Sequence, residues 1–166
     1  MRPRDILFLS LCTLAIAATA SAQTTYTAVL SGASEVPANG STATGSITVV
    51  LNAAQTELSI TCQFQSLVGT YTASHLHSPA AIGVNAGVRF PFTTSWVFSN
   101  GNHDGTLTNF VVTGVTPTDV SNLNSGLVYA NVHSTQYPGG EIRGQLGSLP
   151  VATPKTTWSR VKALYR

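Results

Sequence analysis

Alternation of apolar and polar side chains is the feature that most limits how this chain can fold. It is clearest in residues 58–64, LSITCQF, and similar stretches begin near Tyr26 and Ile47. A period of two places successive side chains on opposite faces of a strand. Turn residues such as those of residues 99–102 and 137–140 interrupt these stretches at short intervals. The pattern predicts an all-β fold, a Greek-key antiparallel sandwich or barrel.

Further strands are predicted near residues 72–77, 87–92, 105–112, 127–133 and 141–146. Residues 116–123 instead favour a single short helix. Thr116 is a suitable N-cap, Pro117 suits the first helical position, and Asp119 would lie in the first turn. We therefore expect at most one short helix in an otherwise β-rich domain.

The N-terminus has the pattern of a secretory signal peptide. Arg2 and Arg4 precede an apolar run over residues 6–18, and Ala20-Ser21-Ala22 supplies small residues for cleavage after Ala22. The run is shorter than the roughly 20 apolar residues of a membrane span, and no later segment is apolar for long enough. We predict a signal peptide over residues 1–22 and a secreted or periplasmic mature protein without a transmembrane segment.

The mature chain divides by composition into a domain and a tail. Residues 23–149 are predicted to form the β domain, with two arginines against five acidic residues. Residues 150–166 carry four basic residues and no acidic one, and Pro150 and Pro154 interrupt them, so we predict a flexible basic tail. The domain has no basic face for nucleic acid. The expected partner is an extracellular protein or a polysaccharide.

Cys62 is the one cysteine left after signal cleavage, so the mature domain has no internal disulfide. It is in phase with Leu58, Ile60 and Phe64. It is therefore predicted to be a buried thiol in an apolar core.

Three histidines form the main candidate site. His75 and His77 are separated by one residue on a predicted strand, so they share a face while Leu76 takes the other. In residues 127–133, Val128, Ala130 and Val132 suit a packed face, which leaves Tyr129, Asn131 and His133 opposite. His133 joins His75 and His77 if the two strands are neighbours.

Such an arrangement suits copper or zinc, because neutral imidazole is a good ligand for both ions. The alternative is that His75, His77 and His133 only form structural hydrogen bonds at strand ends. His103 lies in a predicted hairpin turn and is interpreted as an exposed turn residue. Glu141 and Arg143 share a strand face, and we expect them to pair with each other or with a loop, for example with Glu35, in a structural role.

No catalytic residues are assigned from the sequence. It lacks Gly-x-Ser-x-Gly, a phosphate-binding glycine loop, Cys-x-x-Cys and an evident pair of catalytic carboxylates. The prediction is a non-enzymatic domain.

Several separated motifs resemble the chordin-type (CHRD) domain family in order and spacing, over about residues 26–147. They contain Glu35, Asn131, Glu141 and Arg143, which we treat as structural or motif residues. The motifs are LSG at 30–32, EVP at 35–37, ASHLH at 73–77, YANVH at 129–133 and PGGEIRGQ at 138–145. The resemblance implies an extracellular β-sandwich module. It does not imply growth-factor binding, since the cysteine-rich modules of chordin are absent.

A fainter resemblance is to copper–zinc superoxide dismutase, and the fold is expected to be immunoglobulin-like or superoxide-dismutase-like. In that resemblance His75, His77 and His133 match copper ligands, and Arg143 matches an arginine near the copper. The chain departs from this family because it has no histidine-rich zinc loop and its lone Cys62 cannot form the internal disulfide.

Two functions follow from these observations. The first is a secreted, non-enzymatic binding or structural module of the extracellular space or cell envelope. The alternative is a copper- or zinc-binding domain with a surface three-histidine site, with redox activity as an extension. A binding module should expose a patch near Arg89, Phe90, Phe92 and Trp96, whereas the other interpretation of these residues is that they belong to the core.

Overall fold

The structure is a computed structural model that describes residues 22–148. The predicted signal peptide, apart from Ala22, lies outside the described residues. The predicted basic tail, residues 150–166, also lies outside them.

The described residues form an antiparallel β-fold with one short α-helix, as the alternation predicts. The helix is α1 (Pro117–Asn124), and 3-10 turns lie at Gly32–Ser34 and Asn100–Asn102. The strands are β1 (Thr24–Ser31), β2 (Thr44–Leu51), β3 (Glu57–Gln65), β4 (Tyr71–His77), β5 (Val88–Pro91), β6 (Val97–Ser99), β7 (Asp104–Thr113), β8 (Tyr129–Ser134), β9 (Ile142–Gln145) and β10 (Gly147–Ser148).

All strands belong to one curled sheet in the order β5-β4-β8-β9-β1-β2-β3-β7-β6, with β10 paired to β1. Neighbours that are distant in sequence, such as β3 with β7 and β4 with β8, give the crossed connections of a Greek key. The edge strands β5 and β6 are joined by residues 92–96 alone. Because so short a segment reaches at most about 18 Å, the sheet must curl until its edges approach each other.

The core follows the alternation in β3. Leu58, Ile60, Cys62 and Phe64 are buried, and the residues between them face outward. Cys62 is the buried thiol that its phase predicts, and burial raises the pKa of this thiol to about 12. It therefore stays protonated at neutral pH and behaves as a core side chain.

The aromatic segment near β5 belongs to the core and forms no exposed patch. Phe90, Phe92 and Trp96 are buried, and the Trp96 indole N–H donates to the Phe92 carbonyl over 3.0 Å. The interpretation of these residues as core is therefore correct, and the exposed aromatic surface expected of a binding module is not formed there.

Helix α1 begins as its sequence predicts. Thr116 and Asp119 form a reciprocal capping box, with Pro117 at the first position. Asp119 also accepts two hydrogen bonds of 2.6 Å from the Arg89 guanidinium. These Arg89 bonds, more than the Thr116 bonds, lower the pKa of Asp119 to about 2 against the opposing effect of burial. The pair ties α1 to β5.

In the part of the chain that the structure describes, no helix has the length and apolar character needed to cross a membrane.

Candidate metal centre

Strands β4 and β8 are neighbours, which is the condition for the three histidines to meet. Their antiparallel register pairs His75 with Asn131, His77 with Tyr129 and Ala73 with His133. On the far side of β8, Asn131 pairs with Arg143 of β9. Since paired residues share a sheet face, these polar side chains form one patch across three strands.

The histidines occupy the face that the sequence predicts, but that face is not open surface. Leu76 is fully buried on the opposite side, as expected. His77 and His133 are only 7% and 9% exposed, and His75 is half-buried. The prediction of a surface site is wrong, because residues 78–87 fold back over β4 and place the Ala86 carbonyl against His77.

One ring nitrogen from each of His75, His77 and His133 lies within 4.8 Å of the other two. Within the cluster, His75 Nδ1 lies 3.0 Å from His133 Nε2. The predicted grouping of the three residues is therefore confirmed as geometry.

Backbone carbonyls fix the tautomers of two of the rings. His77 Nδ1 lies 2.9 Å from the Ala86 oxygen, and His133 Nδ1 lies 2.9 Å from the Pro138 oxygen. A carbonyl can only accept, so each Nδ1 carries the proton and donates. In the neutral rings each Nε2 is then a bare lone pair that points into the cluster, as in histidines that bind metals through Nε2.

Asn131 adds an oxygen to the same point. Its Oδ1 lies 3.0 Å from His77 Nε2 and 3.0 Å from His133 Nε2, and the residue is only 3% exposed. Three electron-pair acceptors therefore meet in a buried space. Sequence reasoning treated Asn131 as a motif residue and did not place it in the site.

Burial favours the neutral forms of His75 and His133. Burial, followed by the charges of His133 and His77, lowers the pKa of His75 to about 4. Burial is also the main cause that lowers the pKa of His133, against a smaller raising effect of the Pro138 carbonyl. Neutral imidazole is the form that binds metal ions. At neutral pH these two rings can therefore bind a metal ion without first losing a proton.

Tyr129 forms a wall of the site. Its ring stacks on His77 with centroids 4.6 Å apart and planes 1° from parallel, and the Arg143 guanidinium carbon lies 3.4 Å from the Tyr129 centroid. The position of Tyr129 on the same face as His133 follows from alternation. Its contact with His77 requires knowledge of the β4–β8 register, which the sequence does not provide.

Arg143 holds the covering segment in place. Its guanidinium donates to Asn85 Oδ1 over 2.9 Å and to the Val84 carbonyl over 2.8 Å. Arg143 is 2% exposed. Of the two pairings expected for Arg143, the one with a loop is confirmed and the one with Glu141 is wrong. Stacking on Tyr129 and the two bonds to residues 84 and 85 direct the guanidinium away from that carboxylate.

Glu141 has a structural role, as expected, but with other partners. Its buried carboxylate accepts from Ser41 Oγ over 2.7 Å, from the Val68 N–H over 2.6 Å and from Ser134 Oγ. It joins three separate segments of the chain beneath the site.

Glu35 lies close to the site without a direct ion pair to Arg143. It is 7% exposed, and its Oε1 has no hydrogen-bond partner. Burial raises the pKa of Glu35 to about 7, against the lowering effects of the Arg143 charge and the Val36 N–H.

His103 does not join the cluster. It is half-buried in the turn before β7, and its Nδ1 lies 2.5 Å from the Leu67 carbonyl. The interpretation as a turn residue holds, although this histidine is less exposed than expected.

A comparison with protein families agrees with the motif pattern. The CHRD domain family model matches residues 26–146, which include every residue of the three-histidine site. No match was found among curated proteins or among solved structures. With most of its length matched, the chain belongs to the CHRD domain family.

Proposed function

We propose that this chain is a secreted, non-enzymatic CHRD module that binds one copper or zinc ion through His75, His77 and His133. The family supports an extracellular module, and the buried histidine cluster is its most specialised chemical feature.

The observation that carries the proposal is the close approach of three hydrogen-bond acceptor atoms. Nε2 of His77 and Nε2 of His133 each face Asn131 Oδ1 over 3.0 Å, although both rings have their Nδ1 protons committed to carbonyls. Two lone pairs at that distance repel each other unless a proton or a cation lies between them. A cation shared by the three residues turns the repulsion into coordination.

The distances fit such an ion. Tetrahedral zinc with bonds of about 2.0–2.1 Å places its ligand atoms roughly 3.3 Å apart. The His75–His133 contact and both Asn131 contacts are 3.0 Å, and the remaining nitrogen separations are at most 4.8 Å. Small side-chain rotations therefore complete the shell without moving the strands.

The donor atoms select the class of metal. Imidazole nitrogen suits zinc and copper, whereas calcium and magnesium prefer shells made of oxygen. Cys62 lies in β3 within the core and is not part of this cluster, so the site offers no thiolate.

Purely structural hydrogen bonding explains only part of the geometry. His75 Nδ1–H can donate to His133 Nε2 over 3.0 Å, which satisfies that pair. With the Asn131 amide in its present orientation, it leaves His77 Nε2 facing Asn131 Oδ1. A metal site accounts for all of the contacts at once.

Titration calorimetry with zinc or copper(II), on the wild type and two histidine variants, tests the proposal. His77→Ala should lower affinity by 100-fold or more, on the order of one lost imidazole ligand. The matched control is His103→Ala, which removes a histidine outside the cluster and should bind like the wild type. Equal binding by both variants would show that the metal is bound elsewhere.

A second candidate function rests on a polar groove on the other half of the sheet. The groove has a volume of about 350 Å³. Its amide, hydroxyl and carboxylate side chains are Thr44, Ser46, Gln63, Gln65, Ser99, Asp104 and Thr106. The volume falls in the range of small-ligand sites, roughly 300–1,000 Å³, and the lining suits the hydroxyl groups of an extracellular polysaccharide. Binding of soluble glycans should weaken in Gln63→Ala and persist in His77→Ala; no binding by the wild type would remove this candidate.

A further inference from the structure

We propose that Asn131 supplies the fourth ligand of the ion through Oδ1, and that Glu35 is the positioning residue that keeps this oxygen turned toward the histidines. The inference rests on the proposed metal function and adds the residue that completes the shell.

Asn131 is fixed in the middle of the site by strand pairing. It lies opposite His75 on β4 and opposite Arg143 on β9. The backbone therefore cannot move the side chain away without disrupting two ladders. What remains free is rotation of the amide, which exchanges Oδ1 and Nδ2.

Gly140 creates the space on the other side of that amide. A Cβ at Gly140 would collide with Glu35 Oε1 and would lie 2.9 Å from Asn131 Nδ2, so these two atoms border the same small volume. Gly140 has φ of 135°, a conformation that favours glycine. Asn39 holds the segment there by donating to the carbonyls of Gly140 and Glu141 over 3.2 and 3.0 Å.

Glu35 makes the two amide orientations unequal. Its buried Oε1 has no hydrogen-bond partner and lies on the Nδ2 side of Asn131. A rotated amide would place Oδ1 beside this carboxyl oxygen, acceptor against acceptor when Glu35 is ionised. The present orientation instead leaves Nδ2 on the side of Gly140 and Glu35, and places the oxygen 3.0 Å from Nε2 of both His77 and His133.

The resulting shell contains three imidazole nitrogens and one amide oxygen. Oxygen is a harder ligand than the thiolate or thioether that copper(I) prefers. The site should therefore bind zinc and copper(II) more tightly than copper(I).

Substitution of Asn131 tests the ligand. Asn131→Ala should weaken zinc and copper(II) binding by about 10- to 100-fold, and the copper(II) electron paramagnetic resonance spectrum should lose the wild-type signature. Asn131→Asp, which keeps an oxygen in place, should bind at least as tightly as the wild type. If the alanine variant does not fold, Asn131→Leu repeats the test at similar volume without an oxygen.

Substitution of Glu35 tests the positioning role. Glu35→Ala should weaken binding by about 10-fold and alter the copper(II) spectrum. Glu35→Gln retains Oε1 as an acceptor and should restore both. The matched control is Glu57→Ala on β3, an exposed carboxylate that should change neither. Thermal melting of each metal-free variant separates lost folding from lost binding.

The outcomes distinguish this inference from the proposed function. A wild type that binds no metal overturns both. A wild type that binds through the histidines, with unchanged affinity and spectrum in Asn131→Ala and Glu35→Ala, leaves the three-histidine site in place and overturns the roles of Asn131 and Glu35.

Discussion

Strands β3 and β8 are both interior strands of the sheet, yet they differ in the burial of their polar faces. Along β3, apolar residues are buried and most polar ones meet solvent. Along β8, all six residues are buried, including Asn131, His133 and Ser134. Both sequences alternate, so alternation alone does not distinguish a solvated polar face from a covered one.

The difference arises from distant segments of the chain. Residues 78–87 cover β8 through the contacts of Ala86 with the Tyr129 hydroxyl, and the segment around Pro138 covers it through His133. A polar group removed from water is destabilising unless it is hydrogen-bonded or binds an ion. The covered face of β8 is therefore where metal binding is expected, and the exposed face of β3 is where substitutions should affect stability least.

The largest predicted effect concerns the apolar face of β3. Ile60→Ala removes a fully buried side chain from the core and should lower the free energy of unfolding by about 3 kcal/mol. The neighbouring Thr61→Ala, on the exposed face, should change it by less than about 0.5 kcal/mol. Urea unfolding measures both, and similar losses would contradict the assignment of the two faces.

A smaller effect is predicted for the carboxylate beneath the covered polar face. Glu141→Gln replaces one acceptor oxygen by a donor opposite Ser41, Val68 and Ser134, and should lower the free energy of unfolding by about 2 kcal/mol. Its matched control is Glu57→Gln, on an exposed carboxylate of β3, which should cost under about 0.5 kcal/mol. If the two variants are equally stable, the contrast between the buried polar face of β8 and the exposed polar face of β3 is wrong.

The smallest effect concerns α1, which lies between β7 and β8 in the chain. Asp119→Asn weakens the capping box and the Arg89 pair, and should lower the free energy of unfolding by about 1 kcal/mol near neutral pH. The folded pKa of Asp119 is lowered from 3.8 to about 2, so its contribution is present above about pH 4 and is lost as the pH falls through about 2. The difference between wild type and variant should shrink over that window; a constant difference would contradict the Arg89–Asp119 account.

Much of the fold was predictable because local chemistry determines it. The alternation in β3 and the capping residues of α1 both led to correct elements, and the motifs around His75 and His133 indicated the family. Strand β6 (Val97–Ser99) was not predicted, because all three of its residues are exposed and show no alternation.

The sequence was enough to predict which histidines come together, but not that they are buried. Strand phase placed His75 and His77 on one face and His133 on the matching face. The cover over them depends on Arg143 holding residues 84 and 85, a contact between segments far apart in sequence. The turned amide of Asn131 depends in the same way on Glu35 and Gly140, for which the sequence gives no local signal.

Elemental analysis of the purified mature protein, with thermal melting before and after addition of zinc or copper(II), tests the central claim most directly. The account predicts about one ion per chain and a melting temperature that rises by several degrees when metal is in excess. A protein that contains no metal, and whose melting temperature is unchanged by either ion, would contradict the metal centre and leave His75, His77 and His133 as structural residues of a CHRD domain.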